Sequence, residues 1–149
     1  MLNLYQNSNL LSKEQFDELE SIFKDTWSNN TVFPNLANKW TRVDKALGQC
    51  VPTALIVYDL FGGKLAYDKN NFHVWNVLPD GTNQDFSRCQ FKKPTKFNIY
   101  EYKTKDEILN SKSACEYKIL ERYQTLKSKV RKELKRLRAL DKYAQLSGN

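Results

Sequence analysis

The segment Leu78-Pro79-Asp80-Gly81-Thr82 restricts this chain more than any other. Proline and aspartate suit the two central positions of a type I turn, and glycine suits the left-handed position that follows and makes a G1 bulge. The turn therefore predicts a hairpin with Leu78 opposite Thr82. Counting outward, Val77 faces Asn83, Asn76 faces Gln84, and Trp75 faces Asp85. His73, Trp75 and Val77 share one face of the first strand. Asp85 then falls on the face of His73 as its diagonal neighbour across the strands, within reach of a ring and a carboxylate. A two-residue loop would put Asp85 on the other face, because a slip of one residue inverts every side chain.

Around this hairpin the chain reads as α+β. Ser12 and Gln15 form a capping-box pattern ahead of Phe16, Leu19, Phe23 and Trp27, which recur at helical spacing to about Ser28. Residues 1–11 read as a polar lead-in. The apolar run from Cys50 to Phe61 is stopped by Gly62-Gly63 and has Pro52 in its first turn, which predicts a buried helix starting at or beside Cys50. That glycine pair lacks the Lys-Ser/Thr ending of a phosphate loop. Strands are expected at Lys64–Tyr67, Phe72–Leu78, Thr82–Phe86 and Phe97–Tyr102. One long helix is expected from about Ser113 to Leu146. The 149 residues suit a single domain, with an α+β core over 12–112, a cysteine site within 48–91, and a basic amphipathic helix over 113–146.

A cysteine is a good nucleophile only as its thiolate, and a helix N-terminus favours that anion. Cys50 has this placement, whereas Cys89 follows a strand and Cys115 opens a surface helix. His73 is the only histidine and so the only imidazole base, and Asp85 can orient it. Cys50, His73 and Asp85 are the candidate catalytic residues. The backbone N–H of Cys50 is the natural oxyanion donor; Gln49 is a further candidate, and Trp75 and Trp40 are expected to line the core or the cleft. Widely spaced cysteines and a single histidine make a zinc site unexpected, and no metal or cofactor is expected.

The motifs here resemble known families. Gly48-Gln49-Cys50 before a helix resembles the nucleophile motif of transglutaminases, and His73-x-Trp75-Asn76, Asp80-Gly81 and Asp85 resemble the hairpin of the transglutaminase-like, papain-like superfamily. Thr53-Ala54-Leu55-Ile56-Val57, Phe61-Gly62-Gly63, His73-Val74-Trp75-Asn76-x-Leu78, Asp80-Gly81-Thr82 and Asp85-Phe86-Ser87-Arg88-Cys89-Gln90-Phe91, taken together, look like the YunG-like family of small bacterial proteins. The resemblance runs from about Trp40 to Phe91. Val51 stands where transglutaminases carry tryptophan, and Ser87 where the YunG-like pattern has threonine. The resemblance implies a buried nucleophile helix on a small antiparallel sheet and a Cys-His-Asp triad. Such a site is a cysteine hydrolase or acyltransferase acting on an amide or thioester of a peptide, a protein or a small molecule.

Charge suggests a different activity. The net charge is +7, and from Lys118 to Lys142 ten basic residues face three acidic ones, so the rest of the chain is balanced. Ile119, Tyr123, Leu126, Val130, Leu134, Leu137 and Leu140 form an apolar stripe there, to be buried against the domain, a second copy in a homodimer, or a partner. Lys127, Lys129, Arg131, Lys132, Lys135, Arg136 and Arg138 cover the other faces. A binding or regulatory module would use them to dock nucleic acid or an acidic protein. The first residues show no signal-peptide pattern and no run is apolar enough to span a bilayer, so the expectation is a cytoplasmic protein without membrane contact.

Overall fold

Ser12 accepts the Gln15 N–H and Gln15 caps the Ser12 N–H in return, each at 3.1 Å, which starts helix α1 (Lys13–Thr26) as the capping box predicts. The computed structural model describes residues 12–147, with side chains to residue 140; the polar lead-in at 1–11 lies outside the described residues. Leu19, Ile22 and Phe23 of α1 are buried in one core with Leu55, Ile56, Val57 and Leu60 of α2 (Cys50–Phe61), a helix with no exposed residue. The Trp27 indole N–H donates to Thr53 Oγ1 at 2.9 Å, locking the two helices together.

Four antiparallel strands follow: β1 (Lys64–Asp68), β2 (His73–Val77), β3 (Asn83–Gln84) and β4 (Glu101–Lys103), in the order β3-β2-β1-β4. The hairpin has the predicted register, with Asn76 opposite Gln84 and Val77 opposite Asn83. Gly81 takes φ 90°, the left-handed conformation its turn position requires, and the Leu78 N–H closes on the Thr82 carbonyl at 2.8 Å. The ladder ends at Gln84, before the Trp75–Asp85 rung expected from the sequence, so β3 is shorter than Thr82–Phe86. The last strand also begins later than expected, at Glu101. The Asn98 N–H donates to the Asp68 carboxylate at 3.0 Å instead of to a neighbouring strand. Asn76 ties the sheet to α2 by donating to the Ala54 carbonyl at 2.9 Å.

The expected single C-terminal helix is interrupted. After α3 (Lys105–Leu109), α4 (Lys112–Glu116) stops at Tyr117, Lys118 turns left-handed at φ 52°, and α5 (Ile119–Ser147) begins. The apolar spacing accounts for the break: Ala114 and Ile119 are both buried, and a gap of five residues cannot stay on one side of a continuous helix. With 29 residues, α5 is about 43 Å long at 1.5 Å per residue. Ile119, Tyr123, Leu126, Val130 and Leu134 are buried in the same core as α1 and α2, Leu137 packs at its edge, and Leu140 is exposed. The domain itself thus covers most of the stripe. No helix among the described residues is long and apolar enough to cross a membrane.

Candidate active site

Cys50 is the first residue of α2 and is half-buried. The loop ahead of it is fixed by Gly48, at φ 70°; a Cβ there would lie 2.7 Å from Val32 Cγ2 and 3.0 Å from the Phe33 nitrogen. Only glycine fits such a close left-handed approach without strain. The Thr53 N–H closes on the Gln49 carbonyl at 3.2 Å. Helical geometry gives the N–H groups of Cys50 and Val51 no acceptor within α2, so both remain at its mouth beside the sulfur.

The sheet brings His73 to this point. His73 is fully buried, and the Asp85 carboxylate lies 2.6 Å from its Nε2. Burial alone would depress the imidazole, but Asp85 and the Cys50 thiol outweigh it and raise the pKa from 6.5 to about 9. With Nε2 occupied by Asp85, the ring nitrogen left for Cys50 is Nδ1. It is buried and makes no formed hydrogen bond among the described residues. The sulfur raises the ring both as a hydrogen-bonding partner and through its charge, in a geometry looser than a closed hydrogen bond. Trp75 stacks at 5.8 Å between ring centroids, with Phe97 at 4.7 Å and Phe91 edge-on at 4.9 Å, so the imidazole sits in an aromatic cage.

The family comparison bears out the YunG-like part of the resemblance. The model of the YunG protein family matches residues 15–135. The chain belongs to the YunG family. The uncharacterised protein YunG of Bacillus subtilis (strain 168) is 30% identical over 83 residues, covering 54% of this chain and 67% of that protein. No solved structure matches.

Two features of this YunG-family site were not read from the sequence. The first is a chain of hydrogen bonds behind Asp85. The Gly48 N–H donates to Gln90 Oε1 at 3.1 Å, Gln90 Nε2 donates to Ser87 Oγ at 3.3 Å, and Ser87 Oγ donates to Asp85 Oδ1 at 3.4 Å. It couples the nucleophile loop to the carboxylate. The second is Arg122 on α5, whose guanidinium is buried and donates to the carbonyls of Thr31 (3.1 Å), Tyr117 (3.2 Å) and Gly48 (3.3 Å). It has no carboxylate partner among the described residues. Burial lowers its pKa from 12.5 to about 10, with Cys50 acting in the opposite direction. One sequence signal pointed to it: Arg122 lies three residues after Ile119 and four before Leu126, inside the apolar stripe.

The remaining candidates have other partners. The Gln49 side chain is buried, accepting from Thr31 Oγ1 at 2.8 Å and donating to the Ser28 carbonyl at 3.2 Å, so it braces the loop before α2. Trp75 donates its N–H to Asn83 at 2.9 Å, and Trp40 donates to the Lys45 carbonyl at 3.0 Å. On α5, Lys127 bonds Asp59 at 2.9 Å, Lys129 bonds Ser28 at 2.9 Å, and Arg136 pairs with Glu133. Lys132, Lys135 and Arg138 are exposed.

Proposed function

We propose that the chain is a cysteine-dependent hydrolase or acyltransferase with a transglutaminase-like, papain-like arrangement, acting on an amide or thioester. One observation carries this reading: a buried imidazole held by a carboxylate at 2.6 Å leaves its other nitrogen to a sulfur at a helix mouth. At neutral pH a ring titrating at about 9 is protonated, and the reaction starts from the thiolate, the form in which a cysteine is nucleophilic. The Cys50 thiolate adds to the acyl carbon, and the oxyanion faces the first-turn N–H groups of α2. His73 gives its Nδ1 proton to the departing amine or thiol, leaving a thioester on Cys50. Water or a second nucleophile then attacks, returns its proton to His73 and frees the sulfur. Asp85 holds the ring in the tautomer this exchange needs.

The chain carries its own comparison for a test, since Cys89 and Cys115 are exposed thiols. In a limited iodoacetamide reaction near neutral pH, followed by peptide mapping, Cys50 is expected to be alkylated at least about tenfold faster than either. Equal rates at the three positions would remove the basis for an enzyme.

The exposure of Lys132, Lys135 and Arg138 favours a second reading, in which α5 docks nucleic acid or an acidic partner while the core is scaffold. Binding of a duplex oligonucleotide should then weaken steeply with salt, by nearly one logarithmic unit per phosphate contact for each tenfold rise. An affinity insensitive to salt, or absent at low salt, eliminates this reading.

A further inference from the structure

The segment 88–97 encloses an opening next to the aromatic rings packed on His73. A cleft of about 690 Å³ is bordered by Arg88, Phe91, Lys92, Lys93, Lys96 and Phe97. Such a volume fits a small molecule. Phe91 and Phe97 have two roles, since they are walls of the cleft and also the rings packed on the imidazole. An occupant of the cleft is therefore separated from the proposed base by a single layer of aromatic side chains.

The charge of this cleft is one-sided. From Phe86 to Tyr100 the chain has Arg88, Lys92, Lys93 and Lys96 and no acidic residue. Arg88 is held in place, its guanidinium 4.6 Å above the Phe97 ring and donating to the Thr95 carbonyl at 2.8 Å. Lys92 is paired with Asp44 at 3.1 Å. Lys93 and Lys96 have no acidic partner among the described residues, so two ammonium groups are left at the cleft. The end of the segment is anchored by the Asn98 N–H on Asp68.

We propose that this cleft binds the anionic portion, a carboxylate or a phosphate, of a small acyl substrate whose reacting carbon reaches Cys50. The inference rests on reading Cys50 and His73 as the reacting pair, and it adds the substrate's charge. Lys93 and Lys96 are its binding residues, with Arg88 shaping the wall between them and His73.

Two alkylating reagents test both ideas separately. Iodoacetamide is neutral and reports on the sulfur; iodoacetate is an anion and reports on the cleft as well. Each rate at Cys50 is divided by that of a free model thiol. In the full chain the normalised preference for iodoacetate should fall by about tenfold in the double variant Lys93→Glu/Lys96→Glu, a magnitude in keeping with local charge focusing. The iodoacetamide rate should hold. The variant Lys132→Glu/Lys135→Glu makes the same change in net charge far along α5 and should alter the preference little. Titration of the isotope-labelled protein with inorganic phosphate and with glutarate then distinguishes the two anions, the better ligand moving amide signals of residues 88–97. Equal effects of the two charge reversals, or no effect of either, would overturn the cleft assignment. A slow iodoacetamide rate in the parent protein would instead count against the enzyme reading.

Discussion

Arg122→Ala is expected to destabilise the chain by about 2–4 kcal/mol and to slow alkylation of Cys50 together with it. Several opposing effects set that figure. Holding a guanidinium at a pKa of about 10 instead of 12.5 means that burial costs its charged form on the order of 3 kcal/mol, which the truncation relieves. Against this, the carbonyls of Thr31 and Tyr117 lose a buried donor, at about 1–3 kcal/mol each. The Gly48 carbonyl keeps the Phe33 N–H at 2.9 Å and is not orphaned. The cavity left by the long side chain adds roughly 2 kcal/mol or more. Urea unfolding measures the sum, and a midpoint unchanged from the parent would refute it.

A merely structural Arg122 would be matched by any residue that refills the space, so two further variants separate its roles. Arg122→Met fills the volume without charge and should recover part of the stability, as replacing buried ionic groups by apolar ones often does. It should leave Cys50 slow if the coupling between the two groups matters, because the buried positive charge that interacts with Cys50 is gone. Arg122→Lys keeps the charge but loses the planar fork that serves three carbonyls, and should retain more of the alkylation rate than the methionine variant. If Met and Lys give equal rates, Arg122 is only packing.

The contrast between Arg122 and the hairpin shows what the sequence could convey. Pro79, Asp80 and Gly81 act on their own backbone, so the turn, the register and the meeting of His73 with Asp85 were readable from neighbours in the chain. The Ser12–Gln15 cap was readable for the same reason. Arg122 satisfies carbonyls from three separated segments, at residues 31, 48 and 117, and no local pattern encodes that convergence. The same holds for the chain of hydrogen bonds through Gln90 and Ser87, which crosses 42 positions to reach Gly48. The basic cleft was hidden by arithmetic: the charge of Arg88, Lys92, Lys93 and Lys96 is balanced elsewhere, so a count over the whole segment outside α5 conceals a local excess. The break before α5 was visible only as an apolar spacing that failed to extend upstream of Ile119.

The carboxylate–imidazole pair gives the other large expected effect. Asp85→Asn keeps a hydrogen-bonding group near Nε2 but removes the charge that, with Cys50, lifts the ring to about 9. Alkylation of Cys50 should fall by about tenfold, to the rate of an ordinary thiol, and any acyl-transfer activity by up to about 10⁴, the figure for a triad carboxylate replaced by asparagine; His73→Ala should fall at least as far. The same pair predicts a pH dependence of stability. A base whose folded pKa is raised above 6.5 stabilises the fold fully below that value and loses the contribution as pH rises through about 9. The parent protein should therefore lose on the order of 3 kcal/mol of unfolding free energy across this window, whereas Asp85→Asn should lose much less. Cys50→Ser should lie between them, because the sulfur supports the ring charge as a second group after the carboxylate. Unfolding curves at about pH 6 and about pH 9.5 decide the matter: parallel behaviour of all three proteins would mean that the imidazole carries no extra proton.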